Sequence, residues 1–185
     1  LPMTIAAVLA LGAGSARGQE SLTNVVLLPR EGREVAAFRL MFLAGSVHDP
    51  KGKEGLAALT ARLMAKGGTQ ALSAAELNQT LFPMAAELGV QVDKELTVFI
   101  GRVHRDHQAR FLRLLTDVVA HPRFEPREFE RLRHEALNDL EQRLRTSDDE
   151  NLGKEALEWL LYEGHPYQHF AFGTVAGLRS ITIAD

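Results

Sequence analysis

The stretch Gly55-Leu56-Ala57-Ala58-Leu59-Thr60-Ala61-Arg62-Leu63-Met64-Ala65-Lys66-Gly67-Gly68-Thr69 decides the reading of this chain. Leu56, Leu59 and Leu63 recur at the spacing of one buried helix face. Gly55 precedes that run and Gly67-Gly68 ends it, which predicts a short amphipathic helix with glycine at both boundaries. The Gly/Pro-containing loop from Ala44 to Glu54 leads into it.

Working outward, Asn24–Leu28 reads as a short strand, followed by a turn at Pro29-Arg30-Glu31-Gly32. Val35–Leu43 is a mostly apolar run, expected to be a strand covered on both faces. Ser73 and Glu76 have the spacing of a capping box. They predict a helix carrying Leu77, Leu81 and Met84, kinked at Pro83 and ended by Gly89. Val90–Val92 and Leu96–Val103 read as two strands joined by a tight antiparallel turn at Asp93-Lys94. Asp106–Ala120 is a strong amphipathic helix facing inward through Phe111, Leu114, Leu115 and Val118, with Asp106 a candidate cap. A longer helix runs from Pro126 to about Thr146 with Phe129, Leu132, Ala136, Leu137, Leu140 and Leu144 at helical spacing. Ser147-Asp148-Asp149 breaks the pattern. A helix from about Leu152 to Tyr162 is expected to point Trp159 and Leu160 inward, and a last element begins at Gly173-Thr174. This order predicts an α+β fold with a mostly antiparallel sheet and helices packed on one face.

Composition bounds the function. The chain has 185 residues, 45% hydrophobic and 24% charged, enough for one domain with a sizeable core. A formal net charge of -3 gives no reason to expect nucleic acid or an anionic membrane as partner. There is no cysteine, which excludes disulfides and thiolate zinc sites. Ile5-Ala6-Ala7-Val8-Leu9-Ala10-Leu11 followed by Gly14-Ser15-Ala16 reads as a secretory signal peptide over residues 1–19, leaving a domain at 20–185. The apolar run is too short to span a membrane. A leader of this kind implies export, to a bacterial periplasm.

Several stretches together resemble the M16 metallopeptidases: pitrilysin, insulin-degrading enzyme and the mitochondrial processing peptidase. They are Gly45-Ser46, Asp49-Pro50, Gly52 and Glu54-Gly55-Leu56-Ala57 before the helix, and Lys66-Gly67-Gly68-Thr69 after it. Downstream come Leu115, Asp117, Pro122, Phe124 and Phe129-Glu130-Arg131, then Gly164-His165-Pro166-Tyr167 and Gly173-Thr174. The resemblance runs from about Asn24 to the last residue and implies the first half of a two-half architecture, the M16/LuxS-like metallohydrolase half domain. The chain therefore reads as a fragment or partial product of such a protein.

In that family the helix carries His-x-x-Glu-His, the inverted zinc motif. The corresponding positions here are Ala58, Leu59, Thr60, Ala61 and Arg62. Two histidines four residues apart share a helix face and give imidazole nitrogens to one zinc at about 2.0–2.1 Å, and the glutamate acts as base on the metal-bound water. Ala58 has no donor atom, Ala61 takes no proton, and Arg62 is a permanent cation without a lone pair. The family's third ligand falls on Asp139. The resemblance thus implies a zinc cofactor whose ligands are absent here. Arg62 and Asp139 are candidates for an ion pair in its place; the alternative is that both point to water.

Other candidates are weaker. His104 and His107 lie at i, i+3 across a strand end and a helix start, where polar residues are expected. His165 and His169 lie in a loop, and His134 sits in a helix rich in Arg and Glu. Neither a glycine-rich phosphate loop after a strand nor a serine triad is recognisable.

The reading favours a non-catalytic M16-like chain that partners a zinc-bearing M16 peptidase, helping to bind peptide or unfolded polypeptide and to form a chamber. Two alternatives remain: an active metalloendopeptidase with displaced ligands from His104, His107 or His165, and a stand-alone peptide-binding module.

Overall fold

The computed structural model describes residues 6–7, 25–29, 32–143 and 149–185. Apart from Ala6 and Ala7, the expected leader at 1–19 and the linker after it lie outside the described residues, as do Ser147 and Asp148 of the expected break.

The strands β1 (Ala6–Ala7), β2 (Val35–Phe42), β3 (Glu87–Val92) and β4 (Thr97–His104) form one antiparallel sheet in the order β1-β2-β4-β3. The long pairings are β2 with β4, from Val35 opposite His104 to Phe42 opposite Thr97, and β3 with β4, from Glu87 opposite Arg102 to Val92 opposite Thr97. The expected turn at Asp93-Lys94 joins β3 to β4, closed by Asp93 N–H donating to Leu96 O at 2.8 Å. Two strand expectations are corrected. Val25–Pro29 forms no strand; the pairing on that flank of β2 is made instead by Ala6 and Ala7, opposite Met41 and Leu40. β2 is covered on one face only. Val35, Ala37, Arg39 and Met41 are exposed while Phe38 is buried, the period-2 pattern of a half-buried strand.

The helices are α1 (Leu56–Lys66), α2 (Ala74–Leu81), α3 (Gln108–Ala120), α4 (Pro126–Asn138), α5 (Asp149–Leu161) and α6 (Val175–Ser180). The Ser73–Glu76 box is formed: Glu76 N–H donates to Ser73 Oγ at 3.3 Å, and Ser73 N–H to Glu76 Oε2 at 2.8 Å. Pro83 ends α2 instead of kinking it, within a 3-10 turn at Phe82–Met84. Gly89 belongs to β3. Asp106 is not the cap before α3; it sits in a 3-10 turn at Arg105–His107, and its N–H donates to His104 Nδ1 at 3.4 Å. α4 widens into π-helical turns over Asp139–Arg143.

Two apolar clusters flank α1. Ala58, Ala61 and Ala65 pack with Phe38, Leu77, Phe99, Val103, Phe111 and Val118 against the sheet. Leu59 and Leu63 pack the other way, with Phe129, Leu132, Leu178 and Ile181 of α4 and the α6 region. α1 is therefore the central helix, small on its sheet side and large on the side of α4. α5 departs most from expectation. None of its residues is buried, and Trp159 and Leu160 are 51% and 74% exposed instead of pointing inward.

Candidate functional site

The start of α1 is held by a side chain that sequence reasoning missed. Asp49 Oδ2 accepts from Gly55 N–H at 2.7 Å and Oδ1 from Ala57 N–H at 2.8 Å. A buried carboxylate thus satisfies two orphan amides at the positive end of the helix. An acid just ahead of the helix was the available signal, but its reach of six to eight residues is outside the usual capping spacing. His169 stands against the same carboxylate, Nε2 at 3.4 Å from Oδ2. Gly55 adopts φ +107, and Gly173, at φ +96, crosses it so closely that a Cβ on Gly173 would lie 2.5 Å from the Gly55 Cα. Two glycines back to back thus lock the loop after Gly164 onto the start of α1.

One and two turns further on are the positions to which the resemblance assigns zinc chemistry. Ala58 and Ala61 are 3% and 4% exposed and are part of the sheet-facing core. Arg62 leaves that core and reaches α4: Nη1 is 3.3 Å from Asp139 Oδ2, so the candidate ion pair is formed. The guanidinium also stands over the Phe172 ring, 5.2 Å from its centroid. A planar cation is suited to a carboxylate at its edge and an aromatic face beneath it. Phe172 gave no sequence signal, because its contact with Arg62 depends on the Gly55–Gly173 crossing. Asp139 is at the junction of α4 with the π-helical turns, which sets its side chain toward α1.

The residues present do not fit zinc. Of the four positions Ala58, Ala61, Arg62 and Asp139, only Asp139 carries a donor oxygen, and a cation already faces it. Three protein ligands are the minimum of a catalytic zinc site.

The other histidines do not assemble a substitute. His104 and His107 are neighbours, with ring centroids 6.4 Å apart. His104 is engaged by the Asp106 backbone and by its carboxylate at 3.4 Å. His165 Nδ1 accepts from Tyr167 N–H at 3.1 Å and its ring meets the Tyr167 ring edge-on. His134 is exposed on α4. Among the described residues, no group of three or more His, Cys, Asp or Glu side chains is placed to hold a metal ion.

Sequence reading also missed Lys94 in the β3–β4 turn. Its Nζ donates to Tyr167 O at 3.0 Å and His169 O at 2.6 Å, and lies 3.1 Å from Glu158 of α5. This one ammonium ties the turn, the loop after Gly164 and α5 together. Beside it, burial pushes the Glu155 carboxyl up to about 7, with Lys94 opposing and Glu158 adding to the shift.

The fold is similar to that of solved structures. One is the crystal structure of the peptidase M16 inactive domain from Pseudomonas fluorescens: 26% identity and a TM-score of 0.72, over 84% of this chain and 37% of that one. A protease from Helicobacter pylori shares the fold at 19% identity and a TM-score of 0.69, over 82% of this chain and 36% of that one. The chain thus spans little more than a third of either. No curated protein matches it. The family model for insulinase, peptidase family M16, matches residues 24–169. With most of its length matched by that model, the chain belongs to the M16 peptidase family.

Proposed function

We propose that this chain is a non-catalytic M16 domain that binds no zinc and works beside a zinc-bearing M16 chain, helping to hold extended peptide. The observation that carries the reading is Arg62, whose guanidinium lies between Asp139 and Phe172 at the ligand positions. A guanidinium there repels a dication and offers it no lone pair. The relative described as an inactive domain supports the same reading.

Peptide holding is supported by the sheet. β3 lies at its edge, and an edge strand can pair with an extended peptide by backbone hydrogen bonds without cleaving it. Hydrolysis would then come from the partner's intact His-x-x-Glu-His helix. The reading includes export to a bacterial periplasm, supported by the apolar run Ile5–Leu11 ahead of Gly14-Ser15-Ala16; the pairing of Ala6 and Ala7 with β2 then belongs to the chain before the leader is removed. Among the described residues, no helix is long and apolar enough to cross a membrane.

Co-expression with an M16 chain that carries the intact motif, from the same source, tests the proposal. The two are expected to co-elute, with chelator-sensitive peptide cleavage in the complex and none in this chain alone. Peptide binding without co-elution would favour a stand-alone binding module. Chelator-sensitive cleavage by the pure chain would favour a peptidase with displaced ligands.

A further inference from the structure

α5 is mounted inside out. Along Asp149–Leu161 the only residues that are not exposed are Glu155 and Glu158, one turn apart on one face. An amphipathic helix ordinarily sits on its leucines. Here Leu157, Leu160 and Leu161 are exposed, and a polar seat holds the helix instead. The seat is built on one ammonium. Lys94 Nζ has three N–H groups, and three oxygens surround it: Tyr167 O at 3.0 Å, His169 O at 2.6 Å and Glu158 Oε2 at 3.1 Å. No N–H of Lys94 is left for Glu155. Ionised, Glu155 is therefore a half-buried carboxylate beside the Glu158 charge, with no hydrogen bond from the described residues, which agrees with a carboxyl held up at about 7.

The helix also walls a cavity of about 710 Å³. Trp159 lines it from α5, Val47 and Glu54 from the loop before α1, and Pro166 and His169 from the loop after Gly164. Gly164 has φ +76 and nothing within 4 Å of where a Cβ would be, so the chain is free to turn there. We propose that α5 is a hinged wall of this cavity, latched shut by Lys94 and released when Glu155 gives up its proton. With Glu155 neutral, the seat sets one carboxylate against one ammonium, and the wall is shut. With Glu155 ionised, two carboxylates share an ammonium whose N–H groups are engaged, and the second gains water when the helix swings out. The charges that bear on Glu155 are Lys94 from the β3–β4 turn and Glu158 from α5. The loop after Gly164 brings carbonyls to Lys94, and its Tyr167 hydroxyl is turned to Glu95. The shut form is thus favoured below the ordinary 4.5 and weakens as pH rises, the loss being complete above about 7. A second tie is exposed, Gln168 Nε2 donating to Trp159 O at 3.2 Å. Release opens the cavity toward His169 and the Asp49 carboxylate that caps α1. The device needs neither zinc nor a partner chain.

Trp159 is the one tryptophan of the chain, so its fluorescence reads the wall directly. Acrylamide quenching of the purified chain from pH 5 to pH 8 tests the proposal, with wild type, Glu155→Gln and Lys94→Met compared and circular dichroism checking the fold of each. Trp159 is 51% exposed when the wall is shut, so the wild-type quenching constant is expected to rise with pH toward a limit of about twofold. Glu155→Gln has no proton to lose there and is expected to stay at the low value throughout. Lys94→Met lacks the latch and is expected at the high value already at pH 5. Where that variant does not fold, Glu158→Ala breaks the same ion pair and carries the same expectation. A pH step that persists in Glu155→Gln would arise at another group on the cavity, His165 or His169, and would overturn the proposal. So would a flat wild-type profile, or a folded latch variant that stays shut.

Discussion

Arg62 concentrates the chemistry of this chain into one side chain. Its charge is balanced by Asp139, its flat face is covered by Phe172, and its side chain is 21% exposed. A pair this far from water is worth more than a surface ion pair and less than a fully buried one. Arg62→Ala is therefore expected to cost about 1–2 kcal/mol in chemical denaturation. In a double-mutant cycle with Asp139→Ala the coupling should be about 1 kcal/mol; a coupling near zero would show that the two groups act independently. Zinc affinity obeys a stricter count. Arg62→His alone supplies one imidazole and is expected to bind no zinc tightly. Ala58→His/Arg62→His/Asp139→Glu restores three donors and is expected to hold about one zinc per folded chain. That Ala58, Ala61 and Arg62 lack donor chemistry was legible in the sequence, because an absent lone pair is a property of residue type. That Arg62 rests on Phe172 was not, because it depends on a crossing of two glycines more than a hundred residues apart in the chain.

At the scale of elements, periodicity predicted α1, α3 and α4, where apolar spacing and burial agree. It failed for α5, whose leucines have the same spacing but face away from the body. Periodicity identifies an apolar face and carries no information about which neighbour covers it. The boundary at Gly89 failed for a related reason. Glycine ends helices, yet here Pro83 had already ended α2 and Gly89 pairs with Ile100 inside the sheet. The polar seat of α5 makes its docking pH-dependent. The Glu155 carboxyl is raised from its ordinary 4.5 to about 7, so the docked helix favours the protonated acid. That contribution is fully present below the ordinary value and is lost as pH rises through about 7. Amide exchange across Asp149–Leu161, corrected for the intrinsic rate, should therefore be faster at pH 8 than at pH 6. Glu155→Gln should remove the difference; an unchanged pH dependence in that variant would refute the assignment. Capping is a separate matter: Ser73→Ala should cost about 1 kcal/mol through the broken box at α2, read by thermal melting.

For the molecule as a whole, α1 is the shared member of two cores, and everything that defines the degenerate site converges on it. Asp49 caps it, the sheet buries its alanines, α4 brings Asp139 to Arg62, and the Gly55–Gly173 crossing brings Phe172. Gly173→Ala should disturb this convergence, because φ +96 and the Glu54 carbonyl leave no room for a Cβ. The expected cost is about 1–3 kcal/mol, with Phe172 drawn away from the Arg62 guanidinium before the sheet is affected. Chemical denaturation reads that cost. The α+β plan was readable from the order of elements and the tight turn at Asp93-Lys94. The single face of β2 and the inverted mounting of α5 were not, since both depend on which layers are present around them. The proposed loss of zinc turns on a guanidinium, that of Arg62, standing against Asp139 and Phe172 at the positions where the family's ligands would be. Zinc content of the purified wild-type chain, measured after saturation with zinc and exhaustive dialysis, tests it most directly. Far less than about one zinc per chain is expected; a stoichiometric zinc that survives dialysis would overturn the proposal.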